Sequence, residues 1–123
     1  MIEIKKHSEK NIVAVLPINY NRPATLVGSE KQIAYANDLL DLVLSILKST
    51  NNAHYMKLPE GIDTEDPRMQ PALENWQKIY QEKYDAFFAH KEAWFYIDKL
   101  KNFSGNANSS AIQLRMTTPS QYD

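Results

Sequence analysis

Apolar and charged residues alternate at the start of the chain. Ile2-Glu3-Ile4-Lys5 places them on opposite faces, and Asn11–Ile18 contains the β-branched run Ile12-Val13-Ala14-Val15. A period of two predicts half-buried strands, here two short ones joined near His7–Lys10. A single extended arm over Asn11–Leu16, lying on helices, fits the same pattern. Pro17 and Pro23 bracket a turn-rich connector, Asn19–Thr25. From Glu30 to Lys48 the period becomes helical. Glu30, Ala34, Asn37, Asp38, Asp41, Ser45 and Lys48 gather on a narrow face. Ile33, Ala36, Leu39, Leu40, Leu42, Val43, Leu44, Ile46 and Leu47 cover most of the rest. A surface helix needs an apolar stripe of only about 100°. The excess predicts a central helix, with a homodimer as the other outlet for it.

Ser49-Thr50-Asn51-Asn52 ends that helix, because short polar side chains compete for its last backbone groups. Ala53–Leu58 is expected to form a short turn of helix, followed by a polar, acidic loop over Pro59–Pro67. A second long helical region then runs from about Arg68 or Met69 to Asn102, bending near His90, where the apolar stripe changes face. Within it Leu73, Tyr80, Phe87 and Trp94 recur every seven residues. Ser104–Ser110 reads as a linker, and Ile112, Leu114 and Met116 alternate beyond it. They predict a short strand added to the amino-terminal segment, or a segment ordered by a partner. The expected fold is mainly α: two long antiparallel helices, the second bent, with a small terminal β or extended element. Residues 1–103 form the helical domain, and 104–123 a flexible or partner-ordered tail.

The start of the first helix is written in Gly28–Ala36. Ser29 serves as N-cap and Gln32, three residues on, reaches back to it, which makes a capping box. Glu30 lies at the positive end of the helix dipole. The segment resembles a Gly-Ser-x-Lys-Gln-Ile-Ala-Trp-Ala helix start found in small bacterial and phage proteins without settled function. Gly28, Ser29, Lys31, Gln32, Ile33, Ala34 and Ala36 match it, and Tyr35 stands where those proteins have Trp. Ala93-Trp94-Phe95-Tyr96-Ile97-Asp98 is similar to their later Trp-rich segment. Asn37–Asp41 departs from them, being acidic and apolar where they are basic. The resemblance implies a phage or mobile-element setting and brings no catalytic residue.

Composition narrows the chemistry. The 123 residues include no cysteine, so disulfides, Cys-ligated zinc and thiol catalysis are excluded. Met1–Lys10 has no continuous apolar core of a signal peptide, and Leu39–Leu47 is too short to span a bilayer. A cytoplasmic protein with no membrane contact is expected. Fourteen basic and fifteen acidic side chains leave a formal charge of −1, against the basic excess of a phosphate-binding protein.

No catalytic or metal constellation emerges. His7, His54 and His90 stand apart, and the three glycines form no phosphate-cradling loop. Asp63, Glu65 and Asp66 lack the order of a calcium loop. No cofactor and no enzyme activity are expected. Nine aromatics lie between Trp76 and Phe103, too many for one helix face. Most fill a core, and exposed members serve as interface anchors. The sequence therefore points to a non-enzymatic protein-binding module that acts by occlusion, and the phage or mobile-element setting that the resemblance implies makes the occluded protein a host's. Tyr84, Phe88, Trp94 and Tyr96 are the expected anchors, with Glu60, Asp63, Glu65 and Asp66 steering a basic partner. The alternative is a nucleic-acid-associated accessory protein using Arg68, Lys91, Lys99, Lys101 and Arg115.

Overall fold

The computed structural model describes residues 1–118. Three strands and four helices follow in the order β1 (Glu3–Ser8), β2 (Asn11–Pro17), α1 (Glu30–Lys48), β3 (Ala53–Lys57), α2 (Met69–Phe88), α3 (Ala93–Leu100) and α4 (Ser109–Thr117). The strands form one antiparallel sheet, β1-β2-β3. This is an α+β fold, and the mainly α expectation is corrected by the sheet. Ala53–Leu58 caused the error. Its alternating His54 and Met56 face inward, with Tyr55 and Lys57 opposite, and it pairs along β2 from Ala53↔Pro17 to Lys57↔Val13. Read alone, five residues of mixed character do not separate a strand from a helical turn. Beside β2 they have a template.

The expected second long helix is two helices. α2 stops at Phe88, and residues 89–92 swing out before α3 begins at Ala93. The Val27 N–H donates to the Lys91 carbonyl at 2.7 Å, and the Ala93 N–H donates to the Val27 carbonyl at 2.8 Å. This short parallel bridge takes over backbone groups that a continuous helix would have used internally. The expected bend near His90 is thus a complete break. α3 packs along α1, whereas α2 packs on β2 and α4. The seven-residue repeat from Leu73 to Trp94 crosses the break and belongs to no single seam.

Two apolar clusters result. Ile2, Ile12, Ala14, Leu16, Leu58, Met69 and Leu73 fill the space between the inner sheet face and α2. Ala36, Leu40, Val43 and Leu47 of α1 meet Tyr84, Phe87, Phe88, Phe95, Tyr96, Leu100, Ile112 and Met116 in the larger one. Tyr80 packs against both. The central position of α1 absorbs its apolar surplus, leaving Leu42, Leu44 and Ile46 half-buried. The predicted capping box is present: the Gln32 N–H donates to Ser29 Oγ at 3.1 Å, and the Ser29 N–H donates to Gln32 Oε1 at 3.0 Å. At the other end Asn51 and Asn52 both adopt left-handed backbone, φ 59° and 57°, which asparagine tolerates better than most residues. That tight turn returns the chain into β3.

Residues 109–117 are helical rather than a strand, capped by the Asn108 carboxamide accepting from the Ser110 N–H. Ile112, Gln113 and Met116 are buried, so this stretch belongs to the fold. The expectation of a tail over 104–123 bears on ordered chain up to 118, and residues 119–123 lie outside the described ones. No helix among the described residues is long and apolar enough to cross a membrane.

Three glutamines on one side of α2 fasten the sheet. The Ile2 N–H donates to Gln70 Oε1, and Gln70 Nε2 donates to the Ile2 carbonyl, both at 2.9 Å. Gln81 repeats the pairing with Asn19, at 2.9 and 2.7 Å. Gln77 Nε2 donates to the Pro17 carbonyl at 2.8 Å. A carboxamide carries one acceptor and two donor hydrogens, so it can pair with a backbone residue as a neighbouring strand does.

Candidate functional site

A series of aromatic ring contacts, mostly edge-on or tilted, runs through the molecule from one exposed tryptophan to the other. Trp76 leans on Tyr80 at 6.2 Å, and Tyr80 stacks on His54 at 3.9 Å. Tyr84 meets Tyr20 edge-on at 5.1 Å, and Tyr20 meets Phe88. Phe87, Phe95 and Tyr96 continue to Trp94, 6.5 Å from Phe95. Of the four expected anchors, Tyr84, Phe88 and Tyr96 are buried, Tyr84 and Tyr96 completely. They are corrected to core residues. The Tyr96 hydroxyl reaches the carbonyls of Phe87 (3.2 Å) and His90 (2.5 Å), tying down the α2–α3 corner. Burial raises the phenol pKa of both tyrosines far above its ordinary value.

Trp94 is different, being 42 % exposed. It follows Ala93, the residue bonded to Val27, which is itself 62 % exposed. Two apolar side chains therefore stand on a backbone joint held from both sides. Gly28 makes the joint possible. Its φ of +152° disfavours other residues, and a Cβ there would lie 2.9 Å from Gln32 Oε1 and 3.2 Å from Ala93 Cβ. Beside the joint, Ala89, His90, Lys91 and Glu92 line a hollow of about 290 Å³. The His90 ring stacks on Phe95 at 3.7 Å.

The acidic loop lies between β3 and α2. The Asp63 carboxylate accepts from the Glu65 N–H at 2.9 Å, which shapes the turn. Asp66 accepts from the Arg68 N–H at 2.8 Å and from the Arg68 side chain at 3.1 and 2.7 Å. Those bonds hold the Asp66 carboxyl below its usual pKa. Glu60, Asp63 and Glu65 are exposed and Asp66 half-buried, so the loop presents its charge on the surface.

Behind β3 lies a buried polar cluster. His54 Nδ1 and the Tyr84 hydroxyl share a hydrogen bond of 2.7 Å whose donor is set by the imidazole tautomer. Gln113 Nε2 donates to the Ala53 carbonyl at 2.7 Å and to the Tyr20 hydroxyl at 3.4 Å. Burial lowers the His54 pKa to about 4, so the ring is neutral at pH 7. Tyr20 connects this cluster to a cleft of about 430 Å³ lined also by Asn19, Asn21, Leu44, Lys48 and Asn52. Every buried side-chain nitrogen and oxygen among the described residues is hydrogen-bonded.

No protein-family model matches the chain, and no curated protein or solved structure matches it. The functional reading therefore rests on geometry.

The cations of the nucleic-acid alternative divide in the structure. Lys99 is 3 % exposed, lies over the Phe95 ring, and donates from Nζ to the Thr118 carbonyl at 3.0 Å. Arg115 donates from Nε to the Lys99 carbonyl and from Nη2 to that of Asp98. These two knit α3 to α4, and Arg68 is drawn onto Asp66. Lys91 and Lys101 are exposed. Among the described residues no three potential metal ligands converge.

Sequence reasoning missed Val27, His54 and the glutamine row. The glutamines had a signal, since Gln70, Gln77 and Gln81 sit at helical spacing, but a polar stripe on a helix ordinarily faces water. Val27 had none, because its exposure follows from the bridge to α3.

Proposed function

We propose that this chain is a cytoplasmic, non-enzymatic protein-binding module that acts by covering a surface of another protein. The observation that carries the reading is Trp94, half-exposed on a joint fixed by two backbone hydrogen bonds, with Val27 beside it. A large aromatic whose backbone is already ordered loses little entropy on docking, and such residues dominate interface energetics. The exposed acidic loop supports the same reading, because it speeds encounter with a basic surface. In the phage or mobile-element setting that the Gly28–Ala36 resemblance implies, the partner is a host protein whose own contacts are blocked.

The test is affinity capture from the native host with the wild-type chain and Trp94→Ala. Because Trp94 is half-exposed, the variant keeps its circular dichroism spectrum and most of its thermal stability. Truncation of a tryptophan anchor costs about 2 kcal/mol or more, which is roughly 30-fold in affinity. Capture of the same protein in equal yield by a folded Trp94→Ala variant overturns the proposal.

A further inference from the structure

The open edge of the sheet has a built-in template for one more strand. The Leu58 N–H donates to the Ile12 carbonyl, so the backbone groups of Ile12 face β3. Backbone groups alternate sides along a strand, which turns those of Val13 and Val15 towards β1. Their partners are Lys5 and Glu3. The N–H and C=O groups of Ile4 and Lys6 therefore point away from the sheet, as do those of Ile2. At Ile2 the outward positions are filled by the Gln70 carboxamide, both bonds at 2.9 Å. At the other end a register shift between Lys6 and Ser8 ends regular pairing. Among the described residues no strand pairs with β1 on this side.

A groove of about 450 Å³ runs along this edge. One wall is strand, with Ile4, Lys6 and Glu3, and the other is the Thr64–Pro67 stretch with Gln70. Lys6 Nζ is drawn onto Glu9 at 3.2 Å, and Asp66 is occupied by Arg68. Glu3 and Glu65, one on each wall, remain as the exposed carboxylates, and Met1 closes the end beyond Ile2.

We propose that this groove takes an extended segment of a partner protein, added as a fourth strand on β1 through Ile4 and Lys6, with a lysine or arginine set between Glu3 and Glu65. The inference rests on the reading of the chain as a protein-binding module and supplies a second contact, with its own chemistry. Main-chain bonds give such strand addition its affinity, and side-chain sites give it selectivity. A second copy of β1 is the poorer occupant. With Ile2 already taken, antiparallel self-pairing that uses both outward residues sets Ile4 against Lys6 and Lys5 directly against Lys5. Like charges directly opposite one another destabilise a strand pair.

The probe is a positional-scanning library of ten-residue peptides with valine or threonine at alternate positions, read by amide NMR and hydrogen exchange at low salt. The expected result is selection of lysine or arginine at one position, with slowed exchange at the Ile4 and Lys6 amides. Ile4→Pro removes an outward N–H, a change that edge strands tolerate, and abolishes the protection read at the Lys6 amide. Should that variant not fold, Glu3→Lys with Glu65→Lys serves instead, because both side chains are exposed. It shifts the selected residue to glutamate or aspartate, with lysine peptides weakened by up to about 5-fold per exposed pair. Trp94→Ala leaves peptide binding unchanged. Absence of any selected peptide overturns the proposal. So does protection at α3 instead of β1, or peptide-free protection of Ile4 and Lys6 that grows with protein concentration, which marks a second copy. Failure here with Trp94-dependent capture intact removes the edge contact and leaves the module reading standing.

Discussion

His54 shows how one residue reports the packing around it. Its ring lies between Tyr80 and the Tyr84 hydroxyl, and burial holds its pKa near 4. In the unfolded chain the same ring protonates around its ordinary pKa of about 6.5. Above that value both states are neutral and no stability is lost. Between about 6.5 and 4 the unfolded chain binds a proton that the folded one refuses, so stability falls, by up to about 3 kcal/mol below pH 4. Denaturant melts across that window are expected to show the decline, and His54→Phe to flatten it. The His54 imidazole resonances should report a neutral ring down to about pH 4. A His54 ring that titrates near about 6.5 in the folded protein contradicts the buried placement. Nothing in the residues flanking His54 announces this role, since its partners come from α2, a distant part of the chain.

At the level of elements, ends were more legible than identities. The Ser29–Gln32 capping box is a local device whose donors and acceptors lie within one turn, so it can be read directly from the letters. Ser29→Ala is expected to cost about 1 kcal/mol, seen as a lower thermal midpoint. Gly28→Ala should cost more than the cap alone, because the added carbon meets Gln32 and Ala93 at a φ unsuited to alanine. The glutamines of α2 act at longer range. Gln70→Ala removes two half-buried hydrogen bonds at Ile2, an expected loss of about 1 kcal/mol, with faster hydrogen exchange at the Ile2 amide. If exchange at Ile2 is unchanged, the carboxamide is not what fastens the edge. The split between α2 and α3 escaped the periodicity because aromatics suit both sides of it. Its cause is Val27, some sixty-five residues earlier in the chain, which captures the Lys91 carbonyl and the Ala93 N–H.

For the whole molecule the decisive element is α4. It closes the larger core with Ile112 and Met116, its Gln113 fastens the end of β3, and Thr118 accepts the buried Lys99 ammonium. Ending the chain after Phe103 is therefore expected to lower stability by about 3 kcal/mol or more, from two buried apolar side chains alone. It also exposes the His54–Tyr84 cluster to water. A 1–103 fragment that melts like the full chain contradicts this account. The same closure buries Lys99 and draws the exposed Arg115 onto the carbonyls of Lys99 and Asp98, so two cations of the nucleic-acid alternative are engaged within the fold.

Local physics was readable in the letters alone: the start and end of α1, its central place, the strand character of β1 and β2, and the charge of the loop before α2. Each depends on neighbours within a few residues, or on a periodicity that one element carries alone. Non-local contacts settled the rest. β3 is a strand because β2 lies beside it, the residues after Phe88 leave α2 because Val27 holds them, and residues 109–117 turn helical over a core with room for Ile112 and Met116. Exposure followed the same division. Tyr84, Phe88, Tyr96 and Trp94 are alike as letters, and the packing of all four helices around the larger core left only Trp94 of the four facing water. An aromatic side chain gains from burial wherever it sits, so its composition states the drive, and the fold chooses which members satisfy it.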